Sequence, residues 1–202
     1  VDIPAAWAQL APMGPASYAG IQVGQIDTGY TEHPAFGFGT PGGTWLRPDL
    51  GKNYWKDELE LSGSGEGPAR WEQTPEYPGP RDNLSGPDGG HGTRTGSVLS
   101  GLYVPAEPPI EFPFFGAAPG VTVIPYRITD AVWIDHVQHL LAKAIRDATA
   151  LGVQVLSISL GALRRSGGLA RAVNDAYQQG VIVCAAAGNI IPSVVYPGRL
   201  NC

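Results

Sequence analysis

Four short apolar runs punctuate the chain at residues 21–27, 121–127, 153–159 and 181–187. They are rich in Val and Ile and bounded by Gly, Pro or Asp, which predicts strands. The last three are largely apolar, as in a sheet covered on both faces. Between them the period changes. Residues 134–151 place Val137, Leu140, Leu141, Ala144, Ile145 and Ala148 on one stripe, with Gly152 as a stop. Residues 169–179 repeat the pattern with Leu169, Val173, Ala176 and Tyr177 before Gly180. Strands alternating with helices through right-handed crossovers predict an α/β fold: a doubly wound, mainly parallel sheet with helices on both faces.

Residues 37–90 break this rhythm. They hold twelve Gly and seven Pro, with nine acidic side chains against five basic ones. No periodic apolar face appears, so the stretch reads as an irregular, exposed excursion with a short hairpin near residues 53–61. Trp45, Trp55 and Trp71 are its available anchors. A loop this long inside a compact domain is unusual unless it serves something; a tolerated surface insertion is the alternative.

The whole chain has 202 residues, 43% of them hydrophobic and 15% charged, which suits an ordinary globular protein. Its net charge of -5 supplies no basic footprint for nucleic acid. No apolar run approaches a membrane span, and Val1-Asp-Ile-Pro-Ala-Ala-Trp7 is not a signal peptide. Without an initiator Met, the chain is expected to be processed or part of something longer. Cys184, within an apolar run, reads as a buried free thiol; a disulfide to Cys202 requires Cα atoms within roughly 7 Å.

Three residues carry candidate chemistry. Asp27 closes the first strand, where ligands gather in open α/β sheets, and Thr28-Gly29 turns the chain sharply after it. A carboxylate there can fix the tautomer of an imidazole. His91 follows Gly89-Gly90 and opens a small-residue helix to Gly101. A helix start disfavours imidazolium, so a base with its pKa near or below neutrality is expected. Asn189 follows Gly188 after the last strand, where its amide can donate to a developing oxyanion. His136 and His139, three apart on a helix, could bind a metal, but a solvated face is the plainer account.

The order Asp then His, on these elements, resembles the subtilisin-like serine proteases. The matching stretches are Val23-Gly-Gln-Ile-Asp27-Thr-Gly-Tyr-Thr-Glu-His-Pro, His91-Gly-Thr-Arg-Thr-Gly-Ser-Val-Leu-Ser-Gly, Val155-Leu-Ser-Ile-Ser159-Leu-Gly161 and Ala185-Ala-Ala-Gly-Asn189. Ile3-Pro-Ala-Ala-Trp7 is similar to the start of a mature catalytic domain in that family. The resemblance implies one partial peptidase domain over residues 1–202, with an insertion at about 37–90. It implies Asp27 as the orienting acid, His91 as the general base and Asn189 as the oxyanion donor. Ser159, Leu160 and Gly161 would form an exposed edge for the substrate backbone, with Ala186, Ala187 and Gly188 walling the primary specificity pocket.

The chain departs from the family pattern in three places. The family's serine lies in a Gly-Thr-Ser segment well after the Asn; here no Thr-Ser dipeptide occurs, and Ser193 follows Asn189 too closely. Ala35 in His33-Pro34-Ala35-Phe36 stands where many members have a calcium-binding Asp, so no cofactor is assumed. The interval from Asp27 to His91 is also longer than in compact members. The expectation is a serine endopeptidase in the complete protein, acting on peptide or protein substrates, secreted or extracytoplasmic and made with a pro-segment. This chain alone is expected to be inactive, with the serine downstream, or on a companion chain if the enzyme is nicked after Cys202. The alternative is a catalytically silent, peptide- or partner-binding module. A nucleotide-binding domain is disfavoured, because no Gly-x-Gly-x-x-Gly follows a strand.

Overall fold

The computed structural model describes residues 3–10, 18, 20–55, 79–84, 86–103 and 114–200. Helix α1 (Ile3–Leu10) precedes β1 (Gln22–Asp27), β2 (Lys52–Asn53) and α2 (His91–Ser100). Then follow β3 (Leu102–Tyr103), β4 (Phe114–Phe115), β5 (Thr122–Arg127), α3 (Gln138–Leu151), β6 (Val155–Ile158), α4 (Gly167–Gln178) and β7 (Ile182–Ala185). The main sheet has the order β2-β5-β1-β6-β7, all parallel; β3 and β4 form a small antiparallel pair. All four sequence-predicted strands and both periodic helices are present, with ends shifted by at most four residues.

The centre of the sheet explains the position of the site. β1 lies between β5 and β6, pairing Asp27 with Arg127 and Ile26 with Ile158. It is buried from Val23 onward, so the carboxylate of Asp27 emerges at the carboxyl end of the innermost strand. The apolar stripe of α3 packs on one face: Val137, Leu141, Ala144, Ile145 and Ala148 are fully buried there. Burying a Leu or Ile side chain of this kind contributes roughly 1.5–3 kcal/mol. Helix α2 covers the region around β1 through its small residues. Gly92 sits so close to Gly29 that any Cβ on Gly92 would collide with the Gly29 carbonyl. That approach is open only to glycine, and it draws the start of α2 onto the turn after β1.

Four expectations change. Residues 37–55 are not a free excursion: Lys52 and Asn53 add an edge strand parallel to β5, and Leu46, Tyr54 and Trp55 are buried. No period was needed: Leu46 bridges to Val123 and Tyr54 stacks on Tyr126 of β5, while Trp55 lies edge-on to His136. Trp71 and most of the 53–61 hairpin lie outside the described residues. Tyr177 is 59% exposed, while Leu169, Val173 and Ala176 on the same helix are buried. The β7 strand is not covered on both faces among the described residues; Ile182 is 61% exposed. For the same reason Cys184 is exposed and free rather than buried. Cys202 lies outside the described residues.

Candidate active site

His91 is the first residue of α2, entered through Gly90 in the left-handed conformation at φ 75°. That turn swings the imidazole over the end of β1, where His91 Nδ1 lies 2.7 Å from Asp27 Oδ1. An ionised carboxylate can only accept, so Nδ1 carries the proton and Nε2 presents its lone pair. Among the described residues no hydroxyl hydrogen-bonds Nε2.

Asp27 is 1% exposed and fully engaged. Its Oδ1 also accepts from the Thr28 backbone N–H at 2.7 Å, and its Oδ2 accepts from Thr95 Oγ1 at 3.1 Å. Thr95 is held in turn by Gln25 Nε2 at 3.0 Å, which also donates to the Gly92 carbonyl at 2.7 Å. The carboxylate therefore has one orientation, aimed at the imidazole.

The Asp27 hydrogen bond raises the His91 pKa above its ordinary 6.5. Burial opposes this, while the charges of Asp27 and Asp88 reinforce it. The helix-start argument leaves out this opposing cause: a helix N-terminus contributes about half a charge, and a directly bonded carboxylate contributes a whole one.

A second buried carboxylate organises the turn into α2 and was not singled out from the sequence. Asp82 Oδ2 accepts from Thr28 Oγ1 and from the Gly90 N–H, both at 2.8 Å, and Oδ1 accepts from the Leu84 N–H at 2.8 Å. Thr28 Oγ1 accepts in turn from the Gly92 N–H at 3.0 Å. The residues on either side of His91 are thus bound to one network. Asp82 lies in the Gly/Pro-rich stretch, where an isolated acidic residue looks like solvated charge. Beside the local Leu84 N–H, its partners are 54 residues back and 8 ahead, a spacing with no local signature.

Beyond β6 and β7 the other predicted residues converge. Ser159, Leu160, Gly161, Ala186, Gly188 and Asn189 line one small cavity of about 70 Å³ together with Val195. Ala187 is not in its lining; its carbonyl accepts the Val195 N–H at 2.9 Å. Asn189 is exposed at the rim. The expected exposed substrate edge is corrected at two positions. Leu160 is 1% exposed, and Gly161 is buried with both backbone polar groups bonded to the segment 132–134.

The other histidines do not join the site. His33 Nδ1 accepts the Ala35 N–H at 3.1 Å and caps a short helical turn. His136 is exposed and lies edge-on to Trp55, with ring centroids 6.3 Å apart. Among the described residues there is no group of three His, Cys, Asp or Glu able to hold a metal, and no helix long and apolar enough to cross a membrane.

A strand-end Asp bonded to a helix-start His, on the central strand of a parallel sheet, agrees with the family match: residues 19–201 fit the model of the subtilase family. The chain belongs to the subtilases. It is similar to a subtilisin of Bacillus sp. (strain TA39), with 34% identity over 93 residues, 43% of this chain and 22% of that protein. It is also similar to thermitase of Thermoactinomyces vulgaris, with 32% identity over 114 residues, 54% of this chain and 37% of thermitase. Among solved structures, the nisin leader peptidase NisP from Lactococcus lactis superimposes with a TM-score of 0.56 at 27% identity. That match covers 84% of this subtilase and 44% of NisP. The chain therefore spans less than half the length of each of these relatives.

Proposed function

We propose that this subtilase segment belongs to a serine endopeptidase in which Asp27 orients His91, His91 is the general base and Asn189 donates to the oxyanion. The observation that carries the proposal is the 2.7 Å contact between Asp27 Oδ1 and His91 Nδ1, which leaves Nε2 as the proton acceptor. A serine hydroxyl from outside these 202 residues attacks the peptide carbonyl, and His91 Nε2 takes its proton. The Asn189 amide stabilises the resulting oxyanion. The imidazolium, held by Asp27, returns the proton to the leaving amine, and water then hydrolyses the acyl-enzyme by the same route.

Ser193, four residues past Asn189, is exposed and has no bond to His91. The 202-residue chain alone is accordingly inactive in this proposal. The experiment is labelling with a fluorophosphonate. The full-length protein should react through one serine, and His91→Ala should abolish the reaction, whereas the 202-residue chain should not label. Labelling of the short chain, lost when one of its own serines is changed to Ala, would overturn the assignment of an external nucleophile. A full-length protein that neither labels nor hydrolyses peptides would favour the silent, peptide-binding alternative.

A further inference from the structure

We infer that residues 132–134 act as a built-in strand that takes the backbone positions of a substrate at Gly161, so that the cleft reads a short stretch of peptide and gains little from its extension; the inference rests on the endopeptidase reading. A peptide can lengthen a sheet edge only where backbone N–H and C=O groups stand unpaired. At Gly161 both are used: its N–H donates to the Val132 carbonyl at 3.0 Å, and its carbonyl accepts the Ile134 N–H at 2.9 Å. Trp133 is thereby bridged in parallel to Gly161. The next residue is committed as well. The Ala162 N–H donates to the Tyr196 carbonyl at 2.9 Å, and the Tyr196 N–H donates to the Ala162 carbonyl at 2.8 Å. All four backbone groups of residues 161 and 162 are satisfied within the chain.

The strap is fastened on both sides. Ahead of it, Asp88 Oδ2 accepts the Val132 N–H at 2.8 Å. Behind it, the carboxylate of Asp135 accepts the N–H groups of Leu163 and Arg164 at 3.0 and 2.9 Å, clasping the strap to the segment after Gly161. Between these points Ile134 is fully buried in the main core. A peptide displacing the strap would regain two hydrogen bonds for two lost and would still have to withdraw Ile134 from the core. Extension of the substrate past this point therefore finds no edge to join. Asp88 also accepts the His91 N–H on its own carbonyl at 2.9 Å, so one residue holds both the strap and the start of α2.

Two measurements test this. In the 202-residue chain, hydrogen exchange should show the amides of Gly161 and Ile134 protected to the level of those in β1; exchange at the rate of an open loop would overturn the inference. In the full-length protein, kcat/KM would be measured for alanine p-nitroanilides of two, three and four alanines. The series should rise by less than about threefold, because extension adds no backbone pairing. Asp135→Ala, which opens the clasp away from His91, should restore a rise of at least about tenfold across the series. A tenfold rise already present in the unmodified protein would sink the strap while leaving the endopeptidase reading intact. Absence of turnover on every member would instead count against that reading, and the exchange data alone would then decide the strap.

Discussion

Replacing Asp82 by Ala removes the acceptor for three donors at once: Thr28 Oγ1, the Gly90 N–H and the Leu84 N–H. The bonds to Thr28 and Gly90 are buried and that to Leu84 partly buried, so water cannot replace them all without opening the turn. A buried donor left unsatisfied costs about 1–3 kcal/mol, which sums to roughly 3–5 kcal/mol once partial relaxation is allowed. For a chain of this size that corresponds to a fall of roughly 6–20 °C in Tm. Asp82→Asn should be milder, at about 1–2 kcal/mol, because one side-chain oxygen can still serve Thr28 and Gly90 while Leu84 is lost. The assay is urea unfolding of the 202-residue chain followed by circular dichroism, with the slope compared between variants. A loss below about 1 kcal/mol for Asp82→Ala, or an Asn variant as damaged as the Ala variant, would refute the role of Asp82 in holding the entry to α2.

Other perturbations address the base, the cavity and the core. An NMR titration should place the His91 imidazole above 6.5, and Asp27→Asn should bring it down, since the Asp27 bond is the largest cause of the shift. A raised folded pKa gives stability that is fully present below the unfolded value near 6.5 and is lost as pH rises through the folded value. The gap in stability between the native chain and Asp27→Asn should accordingly shrink as pH rises from about 6.5, and a gap that widens with pH contradicts the assignment. On the proposed endopeptidase reading, the acid limb of kcat/KM of the full-length protein should track the same group, with activity appearing as His91 loses its proton. Val195 lies close to Gly161 and Gly188 and lines a cavity of about 70 Å³. Val195→Gly should raise kcat/KM for a peptide presenting Leu relative to one presenting Ala by about tenfold, within the 10–200-fold range for apolar pocket changes; an unchanged ratio means that this cavity does not receive the side chain. Tyr54→Ala should lower stability by about 3–5 kcal/mol, as for a large buried aromatic, and a loss under 1 kcal/mol in urea unfolding would return residues 37–55 to the status of a surface loop.

The repeating elements were legible because their signals are local. Val137, Leu140, Leu141, Ala144, Ile145 and Ala148 recur at the helical period and all are buried on α3. The strand end that carries Asp27 was legible from the small residues after it, and Asn189 from the small-residue stretch that follows β7. The Asp27–His91 pair could be anticipated from placement alone, a strand end facing a helix start, although 64 residues separate them. What composition misjudged was the Gly/Pro-rich stretch. Leu46, Tyr54 and Trp55 reach the core singly, at places prepared by β5 and α3, so no period marks them.

The less legible parts share one physical cause: they are backbone groups whose partners come from distant segments. Asp82 is acidic in a stretch full of acidic residues, and nothing in its neighbours distinguishes it until Thr28 and Gly90 are brought within 2.8 Å. Gly161 belongs to a stretch that reads as an open edge, yet the groups that would define an edge are spent on Val132 and Ile134. Side-chain patterns reveal which residues are buried; they do not reveal which N–H and C=O groups remain unpaired. A site that binds extended peptides depends on that second property. Two subtilases could therefore share the Asp, His and Asn positions and still read different lengths of substrate, with the difference lodged in whether residues such as 132–134 lie against Gly161 or away from it.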